Sequence, residues 1–430
     1  MAAFVALGTL AAGAAAPASP AQAARAATLA LAKRYWYGGL FWGVMAKFWL
    51  FAILLWLASG RRAVRLRDWA ERRPRGARIA LFTAAAAALV FVAELPFSWY
   101  IGFVRERRFG FGVASPASWF GAWGKSFAVE LAAVVIAAEI VYALLRVGSR
   151  RGQLTPWGAT LRIWAPCVAL MIVAVAIEPV FIAPLFNRVT PLPAGPLRSH
   201  LAAMAQQAGI SPNAIFVSDR SRQSRHTNAY VVGLFGTERI VIYDTLLRAE
   251  TPAEIEFVVG HEIGHYVLRH LWQGLAFGAA LLLLFLWIAF RLYRRWRERL
   301  CYRDFADVAG LPFLALSLYV LFFLASPAIH GFSRHLEHQA DAYGLRVAPD
   351  PCAAVRSFQA DLRTDLIPPD PPSWIEWWFF NHPSDAERIA FAQSYCRAWQ
   401  RRARPSAVGL GAAPASRPAL QSSSQRSVKR

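Results

Sequence analysis

Residues 261–290 read HEIGHYVLRHLWQGLAFGAALLLLFLWIAF and combine two patterns in one continuous stretch. The first ten residues carry two histidines four positions apart, His261 and His265, with Glu262 between them. The remainder is apolar and about as long as the 20-residue helix that crosses a bilayer. Because residues four apart share one face of a helix, both imidazoles could reach a single metal ion.

The apolar half of this stretch is one of six similar segments. Apolar residues make up 56% of the 430 residues, and the mean hydropathy is +0.33. This composition excludes an ordinary soluble protein and predicts an α-helical integral membrane protein. The predicted spans are residues 35–59, 79–104, 118–145, 158–186, 271–293 and 311–330.

These spans divide the chain into six parts. Residues 1–33 resemble either a signal peptide without its basic start or a weak first transmembrane segment, and the sequence does not decide between them. Four spans follow in 34–186, a polar segment in 187–270, two spans in 271–330 and a second polar segment in 331–403. The composition of residues 404–430, rich in Pro, Ser, Ala and Arg, predicts a disordered tail.

The first polar segment has a mixed αβ pattern. Residues 197–207 predict an amphipathic helix, and 214–217, 229–234 and 239–243 predict short strands. The sequence Phe-Gly-Thr-Glu between the last two strands predicts a hairpin turn.

The net charge of +21 does not predict a nucleic-acid partner. Eight Lys and Arg residues lie in the loop 60–78, six in the loop 291–310, and more in 146–151. Basic residues in short loops between spans set membrane orientation. The expected partner is therefore a lipid bilayer.

Ionisable residues lie inside the predicted spans, at Lys47, Glu94, Glu130, Glu139 and Glu178. Each would cost several kcal/mol in lipid, so such groups usually face one another or water. Tilt or snorkelling explains one or two of them. The full set favours a water-accessible cavity among the helices.

The histidine motif supplies the chemistry of metal-dependent hydrolysis. Thr251-Pro-Ala-Glu254 is a capping pattern that predicts a helix carrying both histidines. Zinc is the expected ion, with Glu262 taking a proton from water. Catalytic zinc sites generally have a third protein ligand. Glu337, His335 and His338 are all candidates on chemistry alone, and Asp341 could steady a ligand histidine.

Several further segments resemble one known family, the type I CAAX prenyl proteases, which are membrane gluzincin zinc metallopeptidases. The resemblance runs from about Tyr35 to Ala392. The matching residues are, in order, 95–103 (LPFSWYIGF) with Glu106 and 110–111 (GF), 184–187 (PLFN) with 190–192 (TPL), 227–230 (TNAY) with 233–235 (GLF), 239–241 (RIV) with 244–247 (DTLL), the 261–265 motif, Glu337 with Asp341, and 382–383 (HP) with Glu387 and Arg388.

This resemblance implies a fold and a ligand set. The family fold is a barrel of seven transmembrane helices around a hydrated chamber with a zinc site at one end. The expected architecture is thus six or seven transmembrane helices forming a barrel, with a small αβ zinc metalloprotease core. One Zn²⁺ per chain is expected, with Glu337 as its third ligand.

The resemblance also implies substrate-binding and catalytic residues. Asn228, Ala229 and Tyr230 are expected to form an edge strand that pairs with an extended peptide. His382 and Arg388 are expected near the site, where they would stabilise the oxyanion. A helix start and a salt bridge are their alternative, purely structural roles.

Family members cut peptides, notably after prenylation at C-terminal CAAX sequences. The expected substrate is a peptide or protein that is prenylated or membrane-inserted. A membrane-protein quality-control protease would use the same residues. An inactive chaperone or transport protein is the alternative from another class, and the intact metal motif argues against it.

Charge also predicts the membrane orientation. The Arg-rich loops fall on one side of the membrane and the metal motif on the other, which predicts an extracytoplasmic active site in a bacterial inner membrane. Cys352 and Cys396 could pair in such an oxidising location, although four unrelated thiols are equally compatible with the sequence.

Overall fold

The computed structural model describes residues 19–150 and 154–403. The predicted tail, 404–430, lies outside this range, and so do residues 1–18 of the N-terminal segment. The α-helices are α1 (Pro20–Ala58), α2 (Arg62–Glu71), α3 (Arg78–Trp99), α4 (Pro116–Arg150), α5 (Pro156–Ile177), α6 (Pro196–Gln207), α7 (Asp244–Ala249), α8 (Pro252–Val267), α9 (His270–Trp296), α10 (Leu311–Val347), α11 (Cys352–Thr364), α12 (Ser373–Phe379) and α13 (Asp385–Ala403).

Shorter helical turns extend or precede these elements. α3 continues through a π-helical turn, Tyr100–Arg105, into Glu106–Arg108. α5 continues through a second π-helical turn, Glu178–Ile182, into Ala183–Phe186. Three 3₁₀ turns occupy Arg75–Ala77, Arg220–Arg222 and Val308–Gly310.

Six helices of the described residues are long and apolar enough to cross a membrane, one for each predicted span. Two of these helices extend beyond the predicted spans. α1 begins at Pro20, capped by the Ser19 hydroxyl, so residues 20–33 belong to the first spanning helix. α10 runs without interruption to Val347, so the sixth span and the Glu337 segment are one rigid helix.

The six long helices form a closed ring. Each contacts the next in the order α1, α3, α4, α5, α9, α10, and α10 returns to α1. In no helix is more than 39% of the most apolar stretch buried. Most of the surface of these helices is therefore exposed, either towards lipid or towards the interior of the ring.

The ionisable residues within the spans have different surroundings. Glu94 and Glu130 line a cavity of about 290 Å³ bounded by α1, α3, α4 and α10, inside the ring. Glu139 accepts a hydrogen bond from the main-chain N–H of Ala80 (3.0 Å). Lys47 is exposed. The first two carboxylates fit the predicted water-accessible interior.

A packed core closes the ring at the end that carries the Arg-rich loops. Residues of α2, the start of α3, the end of α4, the start of α5, the end of α9, the loop after it and the start of α10 share one buried cluster, with Phe82, Leu145, Phe290 and Tyr293 among its members. The buried Arg67–Asp307 salt bridge (2.6 Å) joins α2 to the same loop.

The polar segment folds around a four-stranded sheet. Its strands are β1 (Val189–Pro191), β2 (Ile215–Ser218), β3 (Ala229–Val232) and β4 (Arg239–Tyr243), in the spatial order β1-β2-β4-β3. β1 is antiparallel to β2, β2 parallel to β4, and β3 antiparallel to β4. The predicted hairpin is confirmed, and the order leaves β3 at an edge of the sheet.

The sheet holds the motif helix α8 in place through a shared apolar core. Ile215, Ile240 and Ile242 of the sheet pack with Val259 and Ile263 of α8. Alternation along the strands sends these side chains to one face. α8 is thereby fixed between the sheet and α10.

Candidate active site

The start of α8 fixes the two motif histidines on one face. The predicted capping box is present: the Thr251 main-chain N–H donates to Glu254 Oε2 (2.8 Å), and the Thr251 side chain accepts from the third helical residue. An unbroken helix then runs to Val267. As a result, His261 Nε2 and His265 Nε2 lie 3.2 Å apart.

Glu337 of α10 reaches the same point. Glu337 Oε2 lies 3.3 Å from His261 Nε2, and Oε1 lies 3.6 Å from His265 Nε2. α8 and α10 can approach this closely because Gly344 faces His261, where a Cβ would lie 2.9 Å from the histidine main-chain nitrogen. One ligand atom from each of the three residues lies within 4.8 Å of the others.

This donor set fits a bound cation. Glu337 Oε2 is buried and, among residues 19–150 and 154–403, accepts no hydrogen bond of good geometry, although the Nε2 atoms of His261 and His382 lie 3.3 and 3.2 Å away. A buried polar atom without a partner is costly unless something else binds it. Two imidazoles and a carboxylate are the ligands of many catalytic zinc sites.

The two rival candidates for the third ligand point elsewhere. His335 Nε2 lies 2.9 Å from Gln339 Nε2, and the ring of His338 packs on Phe391. Both line a different cavity, of about 1070 Å³. The geometry therefore brings Glu337, and neither rival histidine, to the two motif imidazoles.

Asp341 lies behind His261, one helical turn beyond Glu337. Asp341 is 1% exposed, and its Oδ1 lies 2.8 Å from His261 Nδ1. This contact orients the imidazole so that its Nε2 faces His265 and Glu337. His261, His265 and Glu337 are together called the ligand cluster. Burial by itself would lower the pKa of His261, but Asp341 and Glu337 raise it to about 10. The same negative surroundings favour a metal cation.

Arg388 lines the same cavity as Glu262 and His382, but its observed bonds go to Asp341. Its Nε and Nη2 donate to the two oxygens of Asp341 at 2.9 and 2.6 Å. Both donors are thus engaged in a buried, bidentate salt bridge. The structural alternative describes Arg388 better, since its contact with the site runs through Asp341.

Glu262 and His382 flank the ligand cluster. Glu262 Oε1 lies 3.9 Å from His261 Nε2, and burial raises the pKa of Glu262 although both imidazoles oppose that shift. His382 Nε2 lies 3.2 Å from Glu337 Oε2. Burial lowers the pKa of His382, which favours its neutral form.

The predicted substrate strand lies beside these groups. Asn228 and Ala229 line a cavity together with His261, Glu262 and His382. One edge of β3, which begins at Ala229, is paired with β4, and the other edge carries no strand among the described residues.

Comparison with known proteins identifies the family. Residues 191–395 match the family model of peptidase family M48, and residues 12–188 match the CAAX prenyl protease N-terminal region, described as five membrane helices. The uncharacterized metalloprotease YhfN of Bacillus subtilis is 30% identical over 359 residues, which cover 82% of each chain. A CAAX prenyl protease 1 homolog of Oryza sativa subsp. japonica is 32% identical over 70% of this chain and 69% of its own length. The chain belongs to the CAAX prenyl protease family.

A solved structure supports the same assignment. The crystal structure of S. mikatae Ste24p superposes with a TM-score of 0.66 at 26% identity, covering 76% of this chain and 80% of that one. Like these CAAX prenyl protease family members, the chain is an integral membrane metalloendopeptidase with a peptide or protein substrate. The described part of residues 12–188 contains four candidate membrane helices.

Sequence reasoning missed one residue beside His265. His270 opens α9, is 4% exposed, and places its Nδ1 3.0 Å from His265 Nδ1. Its Nε2 lies 3.1 Å from Gln339 Oε1. His270 is the third histidine within ten residues of a chain that has nine in all, and this clustering was the available signal.

A second polar network, here called the anchor cluster, holds the residues before β3. It consists of Tyr35, Glu106, His226 and Asp365. His226 Nε2 lies 2.9 Å from Glu106 Oε2, and Nδ1 lies 2.6 Å from Asp365 Oδ1. The Tyr35 hydroxyl donates to Glu106 Oε1 (2.9 Å). Burial alone would lower the pKa of His226, but its two carboxylate partners raise it to about 9.

Proposed function

We propose that this membrane metalloprotease is zinc-dependent, with His261, His265 and Glu337 binding one Zn²⁺ per chain. The observation that carries the proposal is the convergence of these side chains from two helices, with Glu337 Oε2 buried and without a hydrogen bond of good geometry among the described residues. When bound, zinc supplies Lewis acidity that polarises a peptide carbonyl and makes water a stronger acid.

Glu262 is proposed as the general base and then the proton donor. It takes a proton from the attacking water as the carbon–oxygen bond forms, and returns that proton to the amine nitrogen as the carbon–nitrogen bond breaks. Its position beside His261, at the edge of the ligand cluster, supports both roles. The products are a carboxylic acid and a free amine.

His382 is proposed to stabilise the oxyanion. As a neutral imidazole at the rim of the ligand cluster, it has an N–H to donate to a carbonyl oxygen that gains negative charge. Arg388 is instead proposed as a positioning residue, because its donors hold Asp341 and Asp341 holds His261.

The substrate peptide is proposed to bind beside Asn228, Ala229 and Tyr230 as an added strand. The open edge of β3 offers main-chain donors and acceptors to any extended peptide. The same strand borders the cavity that contains Glu262. This arrangement supports cleavage within a chain as well as near its end.

We also infer that the catalytic face is extracytoplasmic, in a bacterial inner membrane. The Arg-rich loops gather at the closed end of the ring, and such loops prefer the cytoplasm. On the catalytic side, Cys352 and Cys396 form a disulfide, a bond that persists in oxidising compartments. The similarity to a Bacillus subtilis protein supports a bacterial setting.

The substrates are proposed to be membrane-inserted proteins. The curated relatives named CAAX prenyl proteases suggest prenylated peptides, but such substrates are not expected in a bacterial membrane. A role in membrane-protein quality control fits that setting better. Cleavage of a synthetic prenyl peptide compared with a misfolded membrane protein distinguishes the two substrate classes.

The test of the catalytic assignment is Glu262→Gln. The amide retains the shape of the side chain but cannot accept the proton, so we expect full metal content and a fall in peptidase rate of at least about 100-fold. Glu298→Gln is the matched control, since Glu298 is 87% exposed in a distant loop. Unchanged cleavage by Glu262→Gln would contradict the assignment of Glu262 as the general base.

A further inference from the structure

A cavity of about 380 Å³ lies beside Glu262. It is lined by Asn228, His261 and Glu262, the residues of the proposed peptide groove. It is also lined by three acidic residues, Glu250, Asp361 and Asp365. A peptide bound along β3 would therefore have this cavity next to its scissile bond. We refer to it as the acidic cavity.

The two cationic side chains in the acidic cavity already have partners. His226 lies between Glu106 and Asp365, so Asp365 is neutralised within the anchor cluster. Arg388 is held by both oxygens of Asp341. Neither cation forms a salt bridge with Glu250 or Asp361, and the charge of Arg388 only partly opposes the rise in the pKa of Asp361.

Glu250 lacks a cationic partner in the part of the chain that the structure describes. Its Oε1 accepts a hydrogen bond from the Ser357 hydroxyl (3.0 Å). Its Oε2 is buried and, among residues 19–150 and 154–403, has no hydrogen-bond partner. Burial raises the pKa of Glu250 to about 7. An unpaired carboxylate in such a place is a costly arrangement unless a ligand completes it.

Asp361 also forms no salt bridge among the described residues, and the nearby Asp385 adds negative charge. Asp385 is 7% exposed. Burial and the negative charge of Asp385 raise the pKa of Asp361 well above its usual range. Burial raises the pKa of Asp385 to about 6, despite the attraction of Arg388. At Asp361 and Asp385, burial and negative charge therefore outweigh the positive charge of Arg388.

We infer that the acidic cavity is a specificity subsite for a lysine or arginine side chain of the peptide substrate, adjacent to the scissile bond. Leu246, Phe257 and Phe358 also line it, and apolar walls suit the methylene stem of a long cationic side chain. Glu250 and Asp361 bind the charged end. This inference rests on the proposed peptidase function and names its preferred substrate class.

The test compares peptides that differ at one residue. Lysine, arginine, norleucine or glutamate is placed at each position flanking the cleaved bond, cleavage positions are mapped by mass spectrometry, and kcat/KM is measured. Norleucine matches the lysine stem without its charge. At one flanking position we expect lysine and arginine to exceed norleucine by at least about 10-fold, and glutamate to be the poorest.

The double variant Glu250→Gln with Asp361→Asn tests the assigned residues. Its ratio of kcat/KM for lysine over norleucine should fall towards unity, whereas the Glu298→Gln control keeps the wild-type ratio. Metal content and thermal unfolding show whether the double variant is folded. The comparison of peptides on the wild-type protein stands by itself if that variant does not fold.

Three negative results of these experiments would lead to different conclusions. Chelator-sensitive cleavage without any preference for lysine or arginine overturns the subsite and leaves the peptidase function intact. A cationic preference that survives in the folded double variant also overturns the assignment to Glu250 and Asp361. Absence of cleavage of every peptide overturns the peptidase function and the subsite together.

Discussion

At the scale of single residues, the proposed metal centre depends on side chains that are not themselves metal ligands. His261 is held through Asp341, and Asp341 is held in turn by Arg388, 47 residues further along the chain. A carboxylate behind a ligand imidazole fixes its tautomer and increases its basicity. The geometry of the site is therefore set by the packing of α13 on α10 as much as by the motif helix.

Asp341→Asn is expected to weaken metal binding by about 10-fold to 100-fold, because the amide is a weaker acceptor for His261 and leaves Arg388 without its charge partner. Competition with a chromophoric chelator measures the affinity. Asp370→Asn, at an exposed position, is the matched control and should bind metal as the wild type does. Equal affinities for both variants would show that Asp341 has no such role.

Local spacing explains which site residues the sequence predicted. The histidine motif and its cap lie within one helix, so Thr251, His261, Glu262 and His265 could be placed by helical geometry alone. The role of Arg388 depends on a contact between two helices that are far apart in the sequence. The spacing of residues along the chain does not predict such a contact. His270 folds back on His265 because Arg269 has a positive φ of 57°, a backbone turn that interrupts the helix.

At the scale of elements, the anchor cluster ties the substrate strand to the membrane ring. Tyr35 lies on α1, Glu106 follows α3, and Asp365 follows α11, while His226 immediately precedes the residues of β3. Arg105 also contacts this cluster through Glu106 (3.0 Å). A protonated His226 joins these elements because it donates to two carboxylates at once.

The anchor cluster predicts a loss of stability in alkali. A raised pKa means that protonated His226 stabilises the fold fully below about pH 6.5, and that this contribution is lost as the pH rises through about 9. The unfolding temperature in detergent should fall between pH 7.5 and 10. The His226→Gln variant should have a lower unfolding temperature than the wild type at pH 7.5. Its unfolding temperature should fall by less than that of the wild type between pH 7.5 and 10. Parallel pH profiles for the two proteins would refute the role of His226.

The disulfide between Cys352 and Cys396 joins α11 to α13, the helix that carries Arg388. A bridge between residues 44 positions apart restricts the unfolded chain. It is expected to contribute about 2–4 kcal/mol to the free energy of unfolding. The double variant Cys352→Ser with Cys396→Ser should have a lower unfolding temperature than the wild type. Adding reductant should not change the unfolding temperature of this variant. The free Cys167 provides a control, since Cys167→Ser should keep the reductant sensitivity. A wild-type protein that unfolds identically with and without reductant would contradict the bridge.

The ends of elements were harder to predict than their existence. Hydropathy located all six long helices, because crossing a bilayer demands a minimum apolar length. It placed the end of the sixth span near residue 330, whereas α10 continues as a polar helix to Val347. Polarity changes at a membrane surface without ending a helix, so composition cannot mark the last helical residue.

At the scale of the whole molecule, the ring is closed at its Arg-rich end and carries the catalytic segments at the other. Reporter fusions test the proposed orientation. Alkaline phosphatase joined after Arg397 should be active, and green fluorescent protein joined after Arg303 should fluoresce. Fluorescence from a cytosol-only reporter after Arg397 would place the active site in the cytoplasm.

The proposed zinc-dependent peptidase function requires that α8 and α10 together hold one divalent ion. The most direct measurement is the metal content of the purified protein beside that of Glu337→Ala, by mass spectrometry of the elements. We predict one zinc per wild-type chain and a large loss in the variant. A wild-type protein that cleaves peptides without bound metal, or a Glu337→Ala protein that retains a full complement of zinc, would contradict the metal centre.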